Sequence, residues 1–201
     1  MILFWMVLQS FAESRLSFRT ELEDRALLQI IPAFSQEEHR KVEDMLQEFS
    51  VEIYPSVRLY YEVALLYNQR SDFSRARVYY DRALAIDSNY SMALYDRAEL
   101  SVLEGKTEEA RTDLEQLVAQ EHPHWVIYFR LAEIEASVGN AKGMEENLLK
   151  AIRNDFDLDI LIENRVKWSS FLKNEDIRST LHGIFIVMAE EKRWEQFLDT
   201  P

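Results

Sequence analysis

Ala64, Ala98 and Ala132 stand 34 residues apart, and five further columns of the chain keep the same step. They are Tyr60/Leu94/Tyr128, Val63/Arg97/Leu131, Ala76/Ala110/Met144, Tyr80/Leu114/Leu148 and Ala83/Leu117/Ala151. A period of this length, holding two helical apolar patterns per unit, is met by a helix–turn–helix solenoid. A single such unit cannot bury its own apolar face, so neighbouring units must stack. The alanine columns mark where two helices approach so closely that a larger side chain would part them. Breaks fall where the period requires them. Ser71-Asp72, Gly105-Lys106 and Gly139-Asn140 lie inside units, while Asp87-Ser88-Asn89 and His122-Pro123 lie between them.

Composition agrees with an all-α chain. Four Gly and four Pro in 201 residues are too few for the closely spaced turns of a β-rich protein. The absence of Cys excludes disulfides and thiolate metal sites. A formal charge of −13 argues against nucleic-acid binding, which needs clustered Lys and Arg.

Residues 1–12, MILFWMVLQSFA, are apolar and uncharged, and too short to span a bilayer as a helix. Ser10 and Ala12 place small residues where a signal peptidase cuts, which implies export to the periplasm or medium. The other reading is an N-terminal helix packed on the first repeat, in a cytoplasmic protein. Leu16 to Phe34 has amphipathic spacing ended by Pro32, and Ser35 with Glu38 forms a capping box. Ile30, Val42, Leu46 and Phe49 lie one period before Ala64, Ala76, Tyr80 and Ala83, so residues 13–56 contain a degenerate repeat. Pro55 closes it. Three repeats follow at 57–90, 91–124 and 125–158, with Thr107 expected as an N-cap ahead of Glu108 and Glu109. Residues 158–201 leave the pattern, because Arg178, His182 and Phe185 cannot replace its small and apolar positions. They remain helical in spacing, and capping the last exposed face is their natural work. Trp194, Phe197 and Leu198 are expected to fold back onto that cap.

Tyr60, Val63, Ala64, Tyr67, Ala76, Tyr80 and Ala83 give, in order, a large residue, an aliphatic, a small residue, an aromatic, then Ala, aromatic, Ala. On these residues the chain resembles the tetratricopeptide repeat family. Ser101 and Glu135 depart from it at the aromatic position. The segment around Trp168 to Ile177 resembles the terminal unit of some bacterial arrays, with a short helix from Trp168 to Leu172, a turn from Lys173 to Asp176 and a closing helix from Ile177. The resemblance implies a right-handed solenoid with a helical C-terminal cap. It also implies a concave groove lined by the second, fifth, ninth and twelfth positions of each first helix. These are Arg58, Tyr61, Leu65 and Asn68, then Met92, Tyr95, Glu99 and Val102, then Val126, Phe129, Glu133 and Ala136. Tyr61, Tyr95 and Phe129 would form an aromatic ladder, or would bury against neighbouring helices. Both readings stay open at this stage. The family's clamp for a peptide carboxylate is absent, since its positions hold Arg58 and Glu62, Met92 and Asp96, Val126 and Arg130.

No phosphate loop, GxSxG, HExxH or EF-hand pattern occurs. His122 and His124 flank Pro123 as an HxH pair, but further ligands are wanting, and they read as turn residues. His182 reads as part of the cap. The expectation is a non-catalytic adaptor or scaffold without metal or cofactor, which binds an apolar or basic protein segment in its groove. The alternative is a structural subunit that assembles through an apolar C-terminal face around Trp168 and Trp194.

Overall fold

A computed structural model describes residues 19–34, 39–53, 55–120 and 124–188, together with Trp194, Phe197 and Leu198. Among the described residues there is no strand. The signal-peptide reading, the capping box at Ser35 and Glu38, and His122 and Pro123 fall outside them. The chain forms two compact units, Met1–Leu94 and Tyr95–Pro201.

The first unit holds α1 (19–34), α2 (His39–Ile53), α3 (Val57–Gln69), α4 (Phe73–Ile86) and the start of α5 (Ser91–Leu103). Pro32 does not end α1, as its lack of an N–H suggested. It sits exposed in the last turn, where water can reach the carbonyl that it leaves unbonded. Ser56 caps α3: its Oγ accepts from Leu59 N at 3.2 Å and donates to Glu23 at 2.5 Å. The aromatic of the first repeat, Tyr67, is buried and stacks on Tyr79 with centroids 5.3 Å apart, while Phe34 meets it edge-on at 4.9 Å. Ala64, Ala76, Tyr80 and Ala83 are all buried beside it.

The Tyr79 hydroxyl donates to Glu43 at 2.5 Å, and Arg82 reaches the same carboxylate at 2.9 Å. Burial pushes Glu43 up, but the Tyr79 and Arg82 hydrogen bonds and the Arg82 charge outweigh it and hold the group below 4.5. A carboxyl depressed in the folded state stabilises the fold above its ordinary value and loses that contribution as pH falls through the folded one. Acid titration of stability should therefore fall away below pH 4.5. The Glu43→Gln variant should show a shallower fall, measured by urea unfolding at stepped pH.

The second unit holds α5 from Tyr95, α6 (Thr107–Val118), α7 (Trp125–Ser137), α8 (Ala141–Arg153), α9 (Leu158–Glu163), α10 (Arg165–Trp168), a 3-10 turn (Phe171–Lys173) and α11 (Glu175–Val187). Its core joins Phe129, Ala132, Met144, Leu148 and Ala151 of the last repeat to Phe156, Leu161, Trp168, Ile177, Leu181, Phe185, Trp194 and Phe197. Thr107 starts α6 rather than capping it; Lys106 holds the cap position without a side-chain bond. The cap departs from its expected bounds, since the helix ends at Trp168 and α11 begins at Glu175 under an Asn174 cap. In α11 the buried positions include Ile177 and Leu181, whereas the period points to Arg178 and His182. Ile177, Leu181 and Ile184, each one residue ahead of the period, are buried together with Phe185, and Arg178 is left exposed. That offset is how the cap stays apolar inside without keeping the repeat's residues.

Ser71, Gly105 and Gly139 stand one period apart and share a left-handed backbone, with φ of 59°, 73° and 77°. Nothing lies within 4 Å of a Cβ built on Gly105. Gly105→Ala should thus lose about 1 kcal/mol from backbone conformation alone, read as a lower urea midpoint with an unchanged slope.

Of the two lost aromatics, one is replaced by buried Ser101 and the other by a buried charge. Glu135 stands where the first repeat has Tyr67; it is buried and accepts from Arg111 and, at 2.7 Å, from Asn140 Nδ2. Arg97 and Asp113 stand where the first repeat has Val63 and Tyr79. They form a two-bond pair at 2.6 and 2.9 Å, with Asp113 only 3% exposed.

Candidate functional site

The inner positions expected from the sequence fare differently. Arg58 is drawn back onto α1, 2.7 Å from Asp24 and 3.5 Å from Glu23. Tyr61 is 8% exposed between Tyr80 and Tyr90, at ring separations of 6.2 and 5.5 Å. Leu65, Asn68 and Val126 are half-buried, and Met92 is exposed. Phe129 is 4% exposed, stacked on Phe156 at 4.8 Å and 6.0 Å from Trp168. Phe129 lies on α7 of the last repeat, where Phe156 and Trp168 cover its ring. Tyr61 is likewise engaged by neighbouring rings.

Glu99, Val102 and Glu133 do come together. With Thr107, Arg130, Ile134, Ser137, Lys167 and Phe171 they line a cleft of about 210 Å3 in the second unit. Helices α5 and α7 supply one wall, and α10 with its following turn supplies the other. Val102, Ile134 and Phe171 give the cleft an apolar side.

Its charged side is a chain of ion pairs that runs Glu99, Arg130, Glu133, Lys167. The Arg130 guanidinium donates to Glu133 at 2.7 Å and pairs with Glu99 at 2.9 Å. Lys167 donates to the same Glu133 oxygen, Oε2, at 2.8 Å. Tyr95 hydrogen-bonds to Arg130 as well. Burial pushes the Glu99 carboxyl above its ordinary value, against the opposing charges of Arg130 and Lys167. Burial draws Arg130 down, but the Glu133 bond and the Glu99 charge overcome it and hold the guanidinium still more firmly protonated. Two atoms stay outside these pairs. Glu133 Oε1 and Arg130 Nε are buried without a hydrogen-bond partner, and Glu133 as a whole is only 5% exposed. An unpaired buried polar atom of this kind costs about 1–3 kcal/mol.

Arg130 and Lys167 escaped the groove expectation, and the signal for one was present. Lys167 stands one period beyond Glu133, in the column Leu65/Glu99/Glu133, which continues into the cap. The site thus holds two glutamates neutralised by two cations. Elsewhere, His124 caps α7, its Nδ1 accepting from Val126 N at 3.4 Å, and His182 stacks on Trp194 at 5.0 Å. Among the described residues no group of three or more His, Asp or Glu could hold a metal. Nor is any helix among them long and apolar enough to cross a membrane.

The family model of the tetratricopeptide repeat matches residues 57–90. No curated protein matches the chain. Among solved structures, the fold is similar to a tetratricopeptide repeat protein from Parabacteroides merdae, with a TM-score of 0.61 at 14% identity over 89% of this chain and 72% of that one. It is similar to MamA from Desulfovibrio magneticus RS-1, with a TM-score of 0.61 at 16% identity over 86% and 96%. It is also similar to YrrB, described as a repeat protein with an unusual peptide-binding site, with a TM-score of 0.55 at 20% identity over 73% and 74%. These likenesses show a shared fold. The matched repeat and these likenesses together show a tetratricopeptide-repeat-like all-α fold.

Proposed function

We propose that the protein is a non-catalytic interaction module that holds a segment of another protein in the cleft between α5, α7 and α10. The observation that carries this reading is a cleft whose four charged residues are paired among themselves, which leaves the apolar side of Val102, Ile134 and Phe171 for an occupant. At about 210 Å3 the cleft falls below the ~300–1,000 Å3 of small-molecule sites and suits one anchor residue of a longer chain. The peptide-binding site described for YrrB lends the reading support by analogy of fold alone. Glu99 and Glu133 are already paired, which favours an apolar segment over a basic one.

Peptides selected from a displayed random library on the full chain test this. Val102 is 40% exposed at the cleft, so Val102→Trp should fill it while leaving stability within about 0.5 kcal/mol. Selected peptides should bind the variant at least ~10-fold more weakly, the loss of one well-packed anchor. Equal binding to both proteins would overturn the reading.

A second reading has its own observation. Val166 and Val187 are strongly exposed on α10 and α11, with Ile186 and Met188 beside the latter. Assembly through this face would show as a concentration-dependent mass that Val187→Asp abolishes and Val102→Trp leaves intact.

A further inference from the structure

We propose that Glu99 decides which charge the cleft admits: ionised, it turns a carboxylate away, and neutral, it lets one pair with Arg130. This deepens the proposed function and rests on it. The exposures of the four charged residues single Glu99 out. Glu133 is sealed in, its side chain 5% exposed between Arg130 and Lys167. Glu99 is 32% exposed and Arg130 27%, so the 2.9 Å pair of Glu99 Oε2 and Arg130 Nη2 stands where an occupant can meet it. A carboxylate seeking Arg130 must therefore take the place that Glu99 holds. Lys167 is more open still at 43%, but Glu99 lies within its field too, so a carboxylate beside Lys167 also meets the Glu99 charge. Like charges set close together in a half-buried site are strongly disfavoured.

The rest of the lining does not choose between signs. Val102, Ile134 and Phe171 are apolar, and the Thr107 and Ser137 hydroxyls both donate and accept. With Glu99 ionised, the two glutamates balance Arg130 and Lys167. With Glu99 neutral, the two cations outnumber Glu133 and the cleft gains a net positive charge. An acidic anchor is thus refused at neutral pH and accepted in mild acid. Acid makes the change because burial pushes the Glu99 carboxyl up; Arg130 of α7 and Lys167 of α10 oppose this, while Glu133 of α7 and Asp96 of its own helix add to it. Tyr95, on the same helix, bonds to Arg130. A carboxyl raised in this way takes up its proton above 4.5, so the cleft turns attractive to a carboxylate as pH falls toward that value.

Two probes on the full chain test this: N-acetylleucine as its carboxylate, and N-acetylleucine N-methylamide as its uncharged counterpart. Molecules of this size bind in the millimolar range, within reach of titration by nuclear magnetic resonance on the Ile134 and Ser137 amides. The readout is the ratio of the two affinities. At about pH 7.5 the parent chain should favour the uncharged probe, and Glu99→Gln, which keeps the shape and removes the charge, should move the ratio toward the carboxylate at least ~10-fold. Lowering the pH to about 5 should move the parent's ratio the same way and leave that of Glu99→Gln in place, since the probe's own α-carboxyl titrates at ~3.5 and stays ionised. Val102→Trp should weaken both probes; equal binding there puts them outside the cleft and overturns the proposal. An unchanged ratio in Glu99→Gln overturns it, and so does a carboxylate that binds neither protein. Either result leaves the interaction reading standing wherever the uncharged probe or a selected peptide still binds. A pH response that persists in Glu99→Gln assigns the switch to another group and overturns the proposal as well.

Discussion

Alanine in place of Trp168 should lower the stability of the second unit by about 3–5 kcal/mol. The indole is fully buried, lies edge-on to Phe171 at 5.4 Å and sits 6.0 Å from Phe129. Removing it opens a cavity between the last repeat and the cap, where rigid rings leave little room to collapse. For a unit of roughly a hundred residues each kcal/mol moves the midpoint by about 4–8 °C, so a loss above 10 °C is expected by circular dichroism. Phenylalanine should be far milder. Trp168 Nε1 has no hydrogen-bond partner, so the smaller ring discards a polar group that was buried at a cost. The alanine variant should also weaken ligand binding at the cleft, since Lys167 and Phe171 flank the lost side chain. A loss below 1 kcal/mol would contradict the packing described.

The second large effect lies at Arg97. Arg97→Val removes the guanidinium that meets both oxygens of Asp113 and strands a carboxylate that is only 3% exposed. Breaking a buried pair from one side costs about 3–5 kcal/mol. Adding Asp113→Phe should return most of that. The first repeat fills the equivalent positions with Val63 and Tyr79, so the backbone accepts an apolar pair there. Phenylalanine is chosen because the Tyr79 hydroxyl relies on Glu43, and one period later stands Arg77. Urea unfolding of both single variants and the double gives the coupling directly. A double variant less stable than Arg97→Val would refute the equivalence of the two repeats at this contact.

These two cases mark how far the chain could be read before its structure. The 34-residue step located the buried alanines Ala64, Ala76, Ala83, Ala98, Ala110, Ala132 and Ala151, because a helix crossing tolerates only small residues and repeats its demand in each unit. It also placed the left-handed residues at Ser71, Gly105 and Gly139. Phe129 was harder. Its place on α7 matches that of Tyr61 on α3, and only the cap's arrival over the last repeat decides its burial. Arg97 with Asp113, and Arg111 with Glu135, were invisible as pairs: each residue alone breaks the pattern, and compensation appears only once both helices are in place. Glu99 and Glu133 were identified for the inner surface, but as free charges. Arg130 and Lys167 cancel them, and Lys167 belongs to a segment where the period had already failed elsewhere.

The turn at Gly139 has a bearing on how such a chain can change length. A Cβ at that position would come within 3.1 Å of Asn174 Nδ2, the residue that caps α11. The terminal segment is therefore keyed to a preceding repeat that carries glycine in its inner turn. Duplication of residues 91–124 or 125–158 ahead of the cap preserves the fit, because both bring glycine to that site. A copy of residues 57–90 brings Ser71 instead, and its side chain would push against the Asn174 amide. Growth of the array by gene duplication is thus open to two of its repeats and penalised for the third.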